Sequence, residues 1–557
     1  MNPKNDTDLS PAQQTYPIGA EQVRQAEQIL KNYKQGKAVL EHRIVDNELW
    51  YRMRHSATTH SASEPASASG WLFNAIANKH ADAMDNYPEP VILPREQTDA
   101  AQAKLLSAVL PAILERCDFE DIYSDAWWYK LKHGAACYGV FWSDEDICIR
   151  SVDLLNLFWE PGVEDIQQSR NVFHVQLVDR DLLAHRWSVL RDALAQPSIE
   201  ITRYLYDDAV DTSNKAAVVD WYYKKDGVLH YCKFCQGQVL YASENDELLQ
   251  NTGYYDHGLY PFVIDALYPV SGSPAGFGLV DVMRDAQVYI DRLNSAMLKN
   301  ALMASKKRFF IRADGSVNEQ EFADFSRDFV HVMSANLGQD SIREIETKPL
   351  DDIYVSLLNN KITEIKEVTG NRDFSQGGTT GGVTAASAIA ALQEAGSKLS
   401  RDMVKGGYRA FCKICNLMIE LIRQFYDEPR MFRITGAGAS EAFVMFDNRS
   451  MQPMEQGDAP VFDVRISAAR ANPFSRISQN ELACEFFRLG LFQSHRAAEA
   501  LCCLSMMDFE GRDEMIRRIR ENAMRQTVSP SPVLPKNAPR HDVVTQAKMQ
   551  SAQAGRV

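Results

Sequence analysis

An α+β fold, with a strand-rich stretch enclosed between helical ones, is what this sequence predicts, and three observations predict it. Helical apolar spacing dominates residues 19–133 and 279–426. Short β-prone runs punctuated by Asp, Gly and Pro fill 134–270. A Gly-rich loop separates two long helical patterns near 370–384. At 557 residues the chain exceeds what one core serves, so two to four structural regions are expected.

From Gly19 to Met53 the residues Val23, Ala26, Ile29, Leu30 and Tyr33 recur at helical spacing. His55 to Gly70, rich in Ser, Ala, Thr and His, reads as a loop. Trp71 to Met84 reads as a short amphipathic helix stopped near Pro88 and Pro90, and Thr98–Cys117 and Asp118–His133 as two more helices. At Gly134 the period changes. Cys137–Trp142, Asp146–Val152, Val172–Val178, Ala217–Tyr223, Val228–Phe234 and Gln238–Ala242 read as strands, with a helical insertion at Asp181–Ala193.

The middle of the chain is the most informative part. Leu279, Met283, Ala286, Ile290, Leu293, Met297 and Ala301 step by three and four, close to a 3.5-residue repeat, which predicts a helix lying along a helical neighbour. Arg292, Lys299 and Lys306 fall seven apart on one face, as a solvated basic edge or as a row of DNA contacts. A mixed excursion follows: strand-like Arg308–Arg312, a turn at Asp314-Gly315, a helix from Asn318 to Val332 and strand-like Ser341–Ile345. Pro349 opens a second helix with Asp351 and Asp352 in its first turn, where negative charge suits the helix dipole. Its apolar face is Leu350, Ile353, Tyr354, Leu357, Leu358, Ile362, Ile365 and Val368, and it ends at Gly370.

Residues 370–384 hold five glycines and read as a mobile loop. Ala385–Tyr426 then predicts a helix of roughly 60 Å at 1.5 Å per residue, with a kink at Gly406-Gly407. Strand-like segments follow from Met431 to Ile466, then three short helices near 475–489, 494–507 and 511–526. The Pro/Ser/Gln/Ala-rich end, from Ser529, reads as disordered.

Composition narrows the function. The net charge of −14 argues against a protein that grips nucleic acid by its phosphates, but is compatible with a wall that lets a duplex slide past. No apolar run is long enough to span a bilayer and no signal-peptide layout opens the chain, so residence in the cytoplasm where it is made is expected. Ten cysteines without that signal read as reduced thiols. Two pairs, Cys232/Cys235 and Cys412/Cys415, have C-x-x-C spacing. Zinc wants four soft ligands in a tetrahedron, and neither pair has the Gly-rich knuckle that turns two sulfurs onto one metal, so small apolar filler is favoured. The string nearest a phosphate-binding loop, Gly396-Ser-Lys-Leu-Ser400, lacks its first glycine and lies in a helical pattern. With no G-x-S-x-G and no H-E-x-x-H either, no active site, metal or cofactor is expected, and the chain reads as no enzyme.

Two long helices flanking an excursion make a hairpin with two apolar stripes, which a single copy cannot bury and a ring of copies can. In this order of elements the chain resembles the portal proteins of tailed bacteriophages and prophages over residues 20–525. Local strings agree: Tyr138-Gly139-Val-Phe-Trp142, then Ile149-Arg-Ser-Val-Asp153 leading to Phe158 and Pro161, then Asp165-Ile-Gln, and later Asn480-Glu-Leu-Ala through Leu489-Gly490-Leu-Phe492. Trp159-Glu160 before Pro161 departs from the family pattern. The resemblance implies an N-terminal arm and α/β wing (1–278), a first stem helix (279–305), a small α/β clip (306–348) and a second stem helix (349–369). Beyond these it implies a tunnel loop (370–384), a long kinked wing helix with a β segment (385–472), a helical crown (473–526) and a tail (527–557).

It further implies a homo-oligomeric ring, dodecameric in virions, at one vertex of the capsid, assembled in the bacterial host cytoplasm. Double-stranded DNA would pass through it during packaging and ejection. The terminase large subunit and then a head–tail adaptor would dock on the clip, and the major capsid or scaffolding protein on the wing, with no membrane involved. Gln376, Gly377, Gly378, Thr379, Thr380, Gly381, Gly382 and Thr384 would face DNA. Lys306, Lys307 and Arg308 at the stem–clip boundary are contacts for phosphate or acidic partners, or simply solvated. Another phage structural protein such as an adaptor, and less so a packaging enzyme, are the rival readings.

Overall fold

The computed structural model describes residues 17–55, 68–187, 190, 199–204, 213–305, 308–311, 318–324, 331, 342–345, 351–370, 398–435, 441–452, 459–468, 485, 486, 488–490, 497–505 and 515–522. The chain divides into two compact units, Met1–Ala469 and Arg470–Val557. In the second, helical residues appear at 485, 486 and 488, in Ala497–Ser505 and at 515–522, within the three short helices that the sequence predicts.

The first unit opens with α1 (Ala20–Tyr51), α2 (Trp71–Met84), α3 (Ala100–Arg116) and α4 (Phe119–His133). Gly134 ends α4 at φ +94°, and a Cβ there would stand 2.4 Å from the Phe277 backbone, so the helix-to-strand corner requires glycine. The strands that follow form two antiparallel sheets. One is ordered β3-β2-β9, from Asp146–Val152, Ala135–Ser143 and Phe262–Ala266. The other is ordered β4 to β8, from Leu157–Trp159, Asn171–Asp179, Lys215–Lys225, Val228–Cys235 and Gln238–Ala242. A helix, α5 (Arg180–Arg186), leaves β5, and a short ribbon of β10 (Tyr268–Val270) and β11 (Ser273–Phe277) leads out of the sheets.

Strand β6 reads as a near-continuous apolar run because both of its faces are covered. Ala217, Val219, Trp221 and Tyr223 alternate toward α1, where Val23, Ala26, Leu30 and Tyr33 meet them. Ala216 and Val218 face Leu183 of α5 on the other side. The departure from the family pattern at Glu160 has a local use, since its carboxylate pairs with Arg170 at 2.5 Å across the β4–β5 turn.

The principal core gathers α2, α3, α4, the three-stranded sheet and two further helices, α6 (Leu279–Ser305) and a long one described below. One sequence expectation needs correcting. Pro88 and Pro90 do not merely stop α2; they open β1 (Pro88–Pro94), which pairs antiparallel with a strand nearly four hundred residues on, β16 (Phe462–Ala468). Pro88, Pro90 and Pro94 share one parity with Ile92, whose N–H turns away from β16 to donate to Ser107 Oγ at 2.9 Å. Proline's missing N–H therefore costs this ladder nothing.

Candidate assembly strut

After α6 the chain makes β12 (Arg308–Ile311), α7 (Glu319–Ala323) and β13 (Ile342–Ile345), then α8 (Ile353–Thr369). Strands β12 and β13 pair antiparallel, Arg308 opposite Ile345. Asn318 starts α7 by accepting from the N–H of Gln320 and Glu321 at 3.2 and 3.3 Å. That helix is described over Glu319–Ala323, and residues 325–330 and 332 of the expected reach to Val332 lie outside the described residues. Helix α8 begins at Ile353, and Asp352 is its N-cap rather than part of its first turn. It ends where the sequence predicts, with Gly370 at φ +68°.

Helices α6 and α8 lie against each other and are both graded in burial along their length. Leu279, Met283, Ala286 and Ile290 are buried, Leu293 and Met297 half-buried, and Ala301 exposed. In α8 the order reverses: Ile353 and Leu357 are exposed, Leu358 and Ile362 half-buried, Ile365 buried. The pair is thus an antiparallel strut rooted in the core by the start of α6 and the end of α8. At the root Asp291 and Gln287 are buried polar groups that tie the strut to the chain ahead of α2. Asp291 accepts from Ser69 N and Oγ at 3.0 and 2.9 Å and meets His55 Nε2 at 3.0 Å. Gln287 accepts from Leu72 N at 3.3 Å and donates to Ser69 O at 2.8 Å. Nothing in the local spacing announces these tethers, because both partners sit over two hundred residues away.

The free half of the strut is apolar on more than its seam. Leu298 is 43% exposed, Leu302 49% and Ile353 69%, and Met303, Tyr354, Val355 and Leu357 join them, while Tyr289, nearer the root, is 53% exposed. Contiguous apolar exposure of this kind marks an interaction surface. Arg292 and Lys299 are exposed on one outer face, as their spacing predicts. Arg308 opens β12; Lys306 and Lys307 lie outside the described residues, and so do Gln376, Gly377, Gly378, Thr379, Thr380, Gly381, Gly382 and Thr384.

The long helix α9 is described over Lys398–Phe425. It runs without a break through Gly406-Gly407, where the sequence predicts a kink. Gly407 serves close approach instead: a Cβ there would lie 3.1 Å from Trp127 of α4. Beside it Lys130 of α4 donates to both carboxylate oxygens of Asp265 in β9, at 2.9 and 2.8 Å, in a wholly buried ion pair. Beyond α9, β14 (Arg430–Thr435) and β15 (Glu441–Phe446) form a hairpin.

Two other charged sites bind the first unit together. Burial alone would raise the Glu48 carboxyl, but His133 at 3.4 Å and Lys132 at 2.6 Å reverse that and hold it at about 2. Burial pushes His133 below the usual histidine value. Lys37 of α1 donates to the Leu154 and Leu157 carbonyls, and its burial brings it down to about 8.

The Cys232 and Cys235 thiols are buried. In β7, Cys232 faces the α1 side and Cys235 the α5 side, since residues three apart in a strand point oppositely. Burial raises their thiols to about 12 and about 11. Among the described residues no cluster of three or more His, Cys, Asp or Glu could hold a metal, and no helix is long and apolar enough to cross a membrane.

Helix, strand-bearing excursion, helix and long helix is the element order that the sequence predicts, and a family model described as phage P22-like portal protein matches residues 80–556. The chain belongs to that phage portal family. The match takes in the whole strut, the β12–β13 excursion and α9, and begins within α2. No curated protein matches the chain. Membership makes it a phage portal protein, a component of the virion capsid concerned with DNA packaging, in a family whose role is structural.

Proposed function

We propose that this portal protein is one subunit of a closed ring, twelve copies in the virion, which forms the DNA channel at one capsid vertex. The observation that carries the reading is the bare apolar half of the strut, Leu298, Leu302, Met303, Ile353 and Leu357 above all. Full burial of such a side chain is worth about 1.5–3 kcal/mol, so even part of that gain, repeated around a ring, offsets the entropy of assembly. In this reading the stem is α6 and α8, and the clip is the β12–α7–β13 excursion, which docks terminase and later the head–tail adaptor. The wing, α1 to β11, meets the capsid or scaffolding protein. The loop Gln376–Thr384, built of neutral and small groups, touches DNA without deep, salt-dependent wells. The chain supplies a conduit and a platform and no chemical step of its own.

Negative-stain imaging of the purified chain, with its mass in solution, tests this. Hollow rings of about a dozen copies are the expected result. A particle that stays monomeric at high concentration, or a solid disc, overturns the reading.

A further inference from the structure

The outer face of α9 carries a row of cations that neither the fold nor the strut uses. Lys398, Arg401, Lys405, Arg409 and Lys413 step by three, four, four and four, so they share one side of the helix. All five are exposed, while Met403, Val404, Phe411 and Ile414 bury the opposite side. Asp402 is the single carboxylate between Lys398 and Lys413, so five cations against one acid leave the row net positive in a chain whose total is −14. Lys413 meets Asp165 at 3.1 Å, and its side chain is still 57% exposed. Among the described residues no ion pair holds Lys398, Lys405 or Arg409. Like charges four apart on a helix destabilise it, and this row has three such pairs in succession, Arg401 with Lys405, Lys405 with Arg409 and Arg409 with Lys413. A polyanion laid along the face would remove that repulsion.

We infer that this row is a DNA site apart from the loop and the strut, which holds the phosphates of a duplex along α9 whatever its sequence. From Lys398 to Lys413 the helix rises about 22 Å at 1.5 Å per residue. A duplex carries one charge per about 1.7 Å of its axis, so about a dozen phosphates pass that length. The exposed residues of the face are cations on flexible stems, with Asp402 and Asn416, and none is aromatic. Such a face has no ring on which an unpaired base can stack, and contacts to phosphate alone carry no sequence information. The portal reading supplies the presence of DNA, and on that the inference rests. It goes beyond that reading because a row of this kind grips, whereas the neutral loop Gln376–Thr384, which precedes α9 in the chain, lets DNA slide.

The test uses the full chain and two unrelated duplexes of equal length, with binding followed by fluorescence anisotropy from about 0.05 to 0.2 M NaCl. Both duplexes should bind alike. The pair Lys405→Gln and Arg409→Gln should weaken binding about tenfold or more and flatten the slope of log affinity against log salt by about 2. Its melting temperature should stay at or above that of the unaltered chain, because both side chains are exposed and repel each other. The control is Arg24→Gln with Lys31→Gln, two exposed cations of α1, which makes the same change in net charge and should leave binding as it was. Equal weakening by the α1 pair would mean that net charge alone governs binding, and binding indifferent to the α9 pair would empty the row. Either result overturns the inference and leaves the ring reading intact. Polyglutamate held by the row more tightly than duplex at equal charge would name an acidic protein surface as the ligand, and rings lost in the α9 pair without DNA would make the row a subunit contact; both also overturn it. A chain that never forms rings yet binds duplex through the row removes the ring reading and keeps this site.

Discussion

Glu48 shows how one carboxylate can make the packing of α1 on α4 sensitive to acid. Its folded value of about 2 lies below the ordinary 4.5, so the native state favours the charged form. The stabilisation is complete above about pH 4.5 and drains away as the pH falls toward 2. The gap corresponds to about 2–4 kcal/mol. Comparing chemical denaturation of wild type and Glu48→Gln at pH 6 and pH 3 should show a large gap at the higher pH that narrows by about half at the lower; parallel curves would contradict it. Lys130 is a different case, because its partner is sealed in with it. Lys130→Met strands the Asp265 charge and should cost about 3–5 kcal/mol, while adding Asp265→Leu should restore much of that loss. Thermal unfolding of the three variants decides, and a double variant no better than the single one would count against a stranded charge.

At the scale of elements, the two glycines of α9 separate a propensity effect from a packing effect. Gly406 has no side-chain atom nearer than 3.8 Å to an added Cβ, so Gly406→Ala should stabilise by about 0.5–1 kcal/mol through helix propensity alone. Gly407→Leu must drive into Trp127 and should destabilise by about 1–3 kcal/mol. Paired melting curves check both, and a loss in Gly406→Ala would revive the kink that the sequence suggests. Spacing alone placed most elements. The six strand runs between Cys137 and Ala242 became β2, β3 and β5–β8 within a few residues, and the seam from Leu279 to Ala301 became α6. What spacing could not find was β1, whose three prolines argue against a strand until the partner's position is known.

For the whole molecule, the proposed ring depends on apolar burial rather than on surface ion pairs. Raising NaCl from about 0.1 to 1 M shortens the Debye length from about 10 to about 3 Å and should leave the ring fraction unchanged or higher. Cooling should weaken assembly, because hydrophobic association fades with temperature. Sedimentation velocity across both series measures this, and rings that dissolve in high salt would point to ionic contacts instead.

By itself the sequence determined the period of each segment, hence the α+β class, the helix–excursion–helix order and the family resemblance, because side-chain spacing is a local property. Only the tertiary structure decided that β1 pairs with β16, that Gly407 admits Trp127 and Lys130, and that Ser69 and Leu72 close one flank of α6 at its root. Each of these joins residues far apart in the chain, and spacing along a chain carries no record of what folds against it.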